Sequence, residues 1–184
     1  EMLEDEIAYH CGPTLAGIKP ANIFSSFKKQ NPEIKKDLHT LNQQLNKKDI
    51  FLKVICECKE RVLIMVYKGE LLNEYLHQPE IEQFLRGFGY NSQGNVEECI
   101  DYLISRLTME EFPHEIGAFL GYPLSDILGF INHKDDGCLY TGEWKVYSNV
   151  EEAKKMFCIY KRCRSTFLNK IRKGYTLAEV LQAS

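Results

Sequence analysis

Three features of the 184-residue sequence predict an α+β fold. Apolar residues recur at helical spacing through most of the chain. The stretch from Ile50 to Tyr67 instead alternates and is rich in β-branched residues. A second short β-like stretch lies at Cys138–Tyr147. The expected architecture is a small, mostly antiparallel sheet, with a hairpin at about 50–67 and one or two strands at about 138–147. About seven helices pack around it, and 1–184 fits one domain.

Each element has a local reason. Ile34, Leu38, Leu41 and Leu45 predict a helix near 32–47, with Pro32 at its first turn. Ile50, Leu52, Val54, Cys56 and Cys58 share one face of a strand, and Val62, Ile64 and Val66 continue the pattern. The tight Lys59-Glu60 connection between them demands antiparallel pairing. Phe51, Ile55, Leu63 and Met65 make the opposite face apolar too, so helices should partly cover both sides. Short helices follow at about 70–77 and 79–87, the second opened by Pro79 and ended by Gly87 and Gly89. Asn95 and Glu98 form a cap pair before the amphipathic run Val96, Cys99, Ile100, Leu103, Ile104 and Leu107. Thr108 and Glu111 repeat that capping spacing. Helices near 113–120 and 123–132 flank Gly121-Tyr122-Pro123, with Leu124, Ile127, Leu128 and Ile131 expected to face the core. Ser148 and Glu151 box the start of a long helix carrying Val150, Ala153, Phe157, Tyr160, Phe167 and Ile171. Gly174 stops it, and Thr176 with Glu179 boxes a last short helix.

A chain of this size should bury roughly 70% of its unfolded surface, enough for a real core. The net charge of −3 argues against a dedicated nucleic-acid binder. No apolar run reaches the roughly 18 residues of a membrane span, and the acidic opening Glu1, Glu4, Asp5 and Glu6 does not read as a leader. Seven cysteines, an odd number spread through apolar segments, point to free thiols in a reducing cytoplasm.

Three segments concentrate polar groups on constrained backbone. The first is His10-Cys11-Gly12-Pro13-Thr14-Leu15-Ala16-Gly17-Ile18-Lys19-Pro20, read as a stiff, irregular loop. Cys11 is a candidate nucleophile or redox thiol, His10 a candidate base, and Lys19 a cation that favours the thiolate or an anionic ligand. The competing reading makes Cys11 a small buried hydrophobe and Thr14 a cap.

The second segment is Phe112-Pro113-His114-Glu115-Ile116-Gly117. His114 and Glu115 are a candidate base or ligand pair at a helix start, although alanine at 118 rules out a zinc-protease helix. A glutamate there also simply suits the helix macrodipole. The third is Gly142-Glu143-Trp144-Lys145-Val146-Tyr147. Trp144, with Tyr122, offers flat walls for a planar ligand, and Lys145 a cation; equally, Trp144 reads as core.

Other patterns are weaker. Lys154–Lys173 holds eight basic residues and no acidic one, a face for an acidic partner or simply a solvated one. Cys56 and Cys58 lack a second pair for a four-ligand metal site, so no metal is assigned. Gly87-Phe88-Gly89 with Gly94 follows a helix and lacks the third glycine of a dinucleotide loop.

The three polar segments, extended to Phe112–Pro123 and Tyr140–Tyr147 and followed by Arg162-Cys163-Arg164 after Tyr160-Lys161, together resemble an uncharacterised family of anaerobic Firmicutes, the domain of unknown function 3793. The resemblance covers nearly the whole chain. It implies an intracellular bacterial protein whose genes sometimes neighbour flavodoxin-like genes, and it carries over no reaction, cofactor or catalytic residue.

The expectation is therefore that the His10-Cys11 loop, the His114 helix start and the Trp144 strand form one pocket for a small molecule or redox cofactor of unknown identity. Cys11, His10 and His114 would be its catalytic or ligating groups, with Thr14, Lys19, Glu115, Tyr122, Trp144 and Lys145 contacting ligand. The alternative is a non-enzymatic protein that docks an acidic, flavodoxin-like partner on the basic helix.

Overall fold

In the computed structural model, which describes residues 2–107 and 112–182, the α+β class holds: the described residues form nine α-helices and two small antiparallel sheets. The chain divides into two compact units, Glu1–Leu72 with Arg162–Ser184, and Asn73–Lys161.

The first unit is built on a three-stranded sheet. Strands β1 (Ala21–Phe27) and β2 (Ile50–Glu57) both pair antiparallel with the central β3 (Arg61–Lys68). The hairpin is the expected one, with a correction inside it. A bulge between Val54 and Cys56 shifts the register, so Ile55 is buried and Cys56 half-exposed, and the simple alternation breaks there. Strand β1 was not expected. Its buried positions include Asn22 and Ser26, so its inner face does not read as apolar.

One face of the sheet, including Leu52 and Ile64, packs into a core with α1 (Met2–Leu15), α2 (Ile34–Leu45), the end of α8 (Val150–Arg172) and α9 (Leu177–Gln182). All four periodic positions of α2, Ile34, Leu38, Leu41 and Leu45, are buried as expected. Pro32 lies ahead of the helix rather than in its first turn, since α2 begins at Ile34 with Glu33 as N-cap.

The segment read as an irregular loop is instead helical through Leu15. A proline inside a helix removes one backbone bond and crowds the preceding turn, which usually marks a break. Here Pro13 sits close to the helix end, and its carbonyl accepts from Ile18 and Lys19 in the turn that follows. Gly12 is required by packing. A Cβ there would stand 2.7 Å from the α8 backbone at Arg164, so only glycine lets the two helices approach this closely.

The second unit contains α4 (Pro79–Arg86), α5 (Val96–Arg106), α6 (Ile116–Phe119), α7 (Leu124–His133), the ribbon β4 (Tyr140–Thr141) with β5 (Lys145–Val146), and the start of α8. The helix α3 (Gly69–Leu76) spans the point where the chain passes from one unit to the other. Pro79 opens α4 and Gly87 caps it, and the Asn95 side chain accepts from the Glu98 N–H at the start of α5. Thr176 and Glu179 make the reciprocal bonds of a capping box on α9. The expected pairing of Thr108 with Glu111 lies outside the described residues. One expected face differs: Leu128 of α7 is 39% exposed, and the buried positions there are Asp126 and Ile127.

Candidate functional site

The three sequence segments meet different fates. In the first unit Cys11 is wholly buried among Leu3, Ile7 and the sheet residues. Burial pushes its thiol far above the ordinary range, outweighing the opposing pull of Lys19 and Arg164. A thiol held neutral in an apolar core is a poor nucleophile. Thr14 is equally enclosed and donates to the Asn22 side chain at 2.7 Å, which satisfies both groups. Lys19 is 4% exposed. His10 is exposed and stacks on Phe24 with ring centroids 5.7 Å apart. Desolvation lowers its pKa, against a raising influence from Glu6.

In the second unit His114, Tyr122, Trp144 and Lys145 line one cleft of about 220 Å³ together with Asp126 and Phe130. Helix α7 supplies Asp126 and Phe130, one helical turn apart. The turn before α6 supplies His114, the loop after α6 Tyr122, and the ribbon the other two. Gly117 shapes this wall, for a Cβ there would press on Ile127 and Tyr122 at 3.1 Å.

Trp144 forms a fixed side of the cleft. Its indole N–H donates to Asp126 Oδ2 at 2.9 Å, and the Tyr147 N–H donates to Oδ1 at 2.9 Å, so both oxygens of this buried carboxylate are engaged. The Tyr122 ring lies 4.8 Å from the indole at a 33° tilt, and Phe157 meets it edge-on. Tyr75 donates to the Tyr122 carbonyl at 2.8 Å, anchoring that loop. Trp144 is thus both core and wall: 8% of its surface remains exposed.

Glu115 is the strut beneath His114. Its carboxylate is fully buried and accepts from Tyr90 Oη at 3.1 Å and from both Nε and Nη2 of Arg106. The carboxylate holds the Arg106 guanidinium protonated, and together with burial it pushes the Tyr90 phenol up. The groups that would contact a ligand are already committed to one another, which leaves Glu115 as the brace of the turn that presents His114.

At the mouth, basic groups collect around one aromatic ring. The His114 ring stands edge-on to Phe130 at 5.1 Å, and the ammonium groups of Lys134 and Lys145 lie 5.4 and 5.7 Å from the same ring centre. Lys134 Nζ approaches His114 Nε2 to 3.5 Å, and Lys145 pairs with Asp135. Sequence reasoning missed Asp126, Phe130, Lys134 and Arg106. The α7 pattern read as a purely apolar stripe, and a carboxylate one place before Ile127 gave no sign that it would turn inward to an indole far along the chain.

A family model described as a protein of unknown function (DUF3793) matches residues 7–181. The chain belongs to that family. No curated protein and no solved structure matches it. The DUF3793 match agrees with the resemblance carried by the three segments. Among the described residues of this DUF3793 chain, no helix is long and apolar enough to cross a membrane, and no group of three or more His, Cys, Asp or Glu side chains is placed to hold a metal.

Proposed function

We propose that the cleft beside Trp144 binds a small planar organic molecule. One observation carries this reading: aromatic and basic side chains from four separate stretches of sequence line a single opening whose walls are fixed by internal hydrogen bonds. Largely apolar concavities with a few placed polar groups are the usual form of small-molecule sites. The volume of about 220 Å³ lies under the 300–1,000 Å³ of typical drug-sized sites, so the occupant is a one- or two-ring compound, or the ring portion of a larger one. His10, Cys11, Thr14 and Lys19 belong to the other unit, and the reading does not draw on them. Indole tests it by calorimetric titration. Saturable binding, weakened severalfold or more by Phe130→Ala with the fold intact by circular dichroism, is the expected result. No saturable binding, or binding indifferent to Phe130→Ala, overturns it.

A second reading is supported by α8. Lys154 and Lys155 pair with Glu151 and Glu152, whereas Lys161, Arg162, Arg172 and Lys173 are exposed. Such a face suits an acidic protein partner such as a flavodoxin, whose association should weaken as salt rises. Charge reversal at Lys161 and Arg162 should abolish that salt dependence; unchanged affinity for a flavodoxin rejects it. Seven free cysteines support a reducing, cytoplasmic setting for either role.

A further inference from the structure

We infer that the ligand of the Trp144 cleft is a small aromatic carboxylic acid whose carboxylate sits at the Phe130 rim against His114, Lys134 and Lys145. The inference rests on the cleft being a ligand site and adds the charge of the ligand.

Around Phe130 three basic side chains converge from three stretches of chain: His114 from the turn before α6, Lys134 from the end of α7, and Lys145 from β5. The negative face of the ring draws the two ammonium groups inward and holds them in place. The acidic groups facing them do not cancel this concentration. Asp126 has both oxygens committed to Trp144 and Tyr147, deeper in the wall. Glu143, which also lines the cleft, acts on the Tyr122 hydroxyl, whose pKa is raised by burial and then by this carboxylate. That leaves Asp135 on Lys145, and Asp135 is 82% exposed.

An exposed lysine–aspartate pair is weak, because water solvates both partners well. A carboxylate arriving with an aromatic ring replaces Asp135 at little loss. Its charge-assisted bonds to the two ammonium groups then form beside an apolar wall, where they are stronger than at an open surface. Lys134 is positioned for this: it follows α7 with a φ of 52°, its N–H caps Phe130, and its carbonyl accepts from Tyr147 Oη. Asp135 thus acts as an internal stand-in for the carboxylate.

The test compares indole-3-carboxylate with the uncharged indole-3-carboxamide, matched in shape, by calorimetry on the full chain. The carboxylate should bind about tenfold or more tightly than the carboxamide. In Lys134→Gln/Lys145→Gln that preference should vanish, with circular dichroism and Trp144 fluorescence showing that the fold is intact. Asp135→Asn should strengthen carboxylate binding severalfold by removing the competitor. Equal affinities in the wild-type chain, or a preference that survives the double substitution, overturn the charge assignment alone. If neither compound binds, the reading of the cleft itself fails as well.

Discussion

The two units place their candidate site residues differently. In the first, a thiol, a hydroxyl and a lysine near the end of α1 are sealed: Cys11 and Thr14 are wholly enclosed, and Lys19 is nearly so. In the second, a histidine, two lysines and a tryptophan border an open cleft. The difference is one of scaffold. The first unit buries α1 between a sheet and two further helices, so its polar groups serve one another, as Thr14 serves Asn22. The second is made of short helices and a two-residue ribbon, which close less completely and leave their polar residues facing an opening. Reactive chemistry in a sequence becomes available only where packing leaves room beside it.

The largest effect separates the thiols. Cys11 should resist a maleimide reagent in the folded protein by a factor of about a thousand or more relative to Cys58, since it reacts only through opening of the core. Cys58 is exposed beside the hairpin turn, and backbone hydrogen bonds from Glu60 and Arg61 lower its pKa, so it should label first. Peptide mapping after timed labelling reads both. Comparable rates would deny that the first unit seals Cys11 in its core.

A smaller effect sharpens it. Glu115→Ala strands Arg106 and Tyr90 and should destabilise the second unit by about 3–5 kcal/mol, as expected when one partner of a buried ion pair is removed. Ser26→Ala in the first unit removes a hydroxyl that bonds Glu6 and Asn31, and should cost only about 1 kcal/mol. Urea unfolding followed by Trp144 fluorescence and by circular dichroism compares them. A Glu115 effect no larger than that of Ser26 would deny Glu115 its bracing role.

The smallest effect is electrostatic and belongs to the surface of the first unit. Glu57 accepts from Lys28 at 2.7 Å and Lys35 at 2.8 Å, and these bonds lower its pKa from 4.5 to about 2. A depressed carboxylate stabilises the fold above its unfolded pKa, and that contribution fades as pH falls through the folded value. The stability difference between wild type and Glu57→Gln should therefore be steady near neutrality and shrink from about pH 4.5 towards 2. Raised salt should reduce it throughout. A difference that grows on acidification would reverse the sign.

Elements governed by neighbours in the chain could be read directly. The buried stripe of α2, the Asn95 cap and the Thr176–Glu179 box depend on residues three or four apart, and each formed as its spacing requires. Strand β1 could not be read, because Asn22 and Ser26 occupy its inner face. Their burial is made tolerable by Thr14, Glu6 and Asn31, partners that adjacency in sequence does not indicate. Pro13 misled for a related reason, since its penalty falls away close to a helix end and Gly12 was needed for an interhelical contact, not a turn.

By itself the sequence determined the family, the α+β class, the positions of most helices and the hairpin, and the short roster of chemically able residues. Tertiary structure decided which of them meet water. His114, Tyr122, Trp144 and Lys145 came to share a cleft, and Cys11 went into the core. The reason is that helical periodicity and capping act over a few residues. Burial, and with it the ionisation and reach of every polar group, is set by side chains brought together from distant parts of the chain.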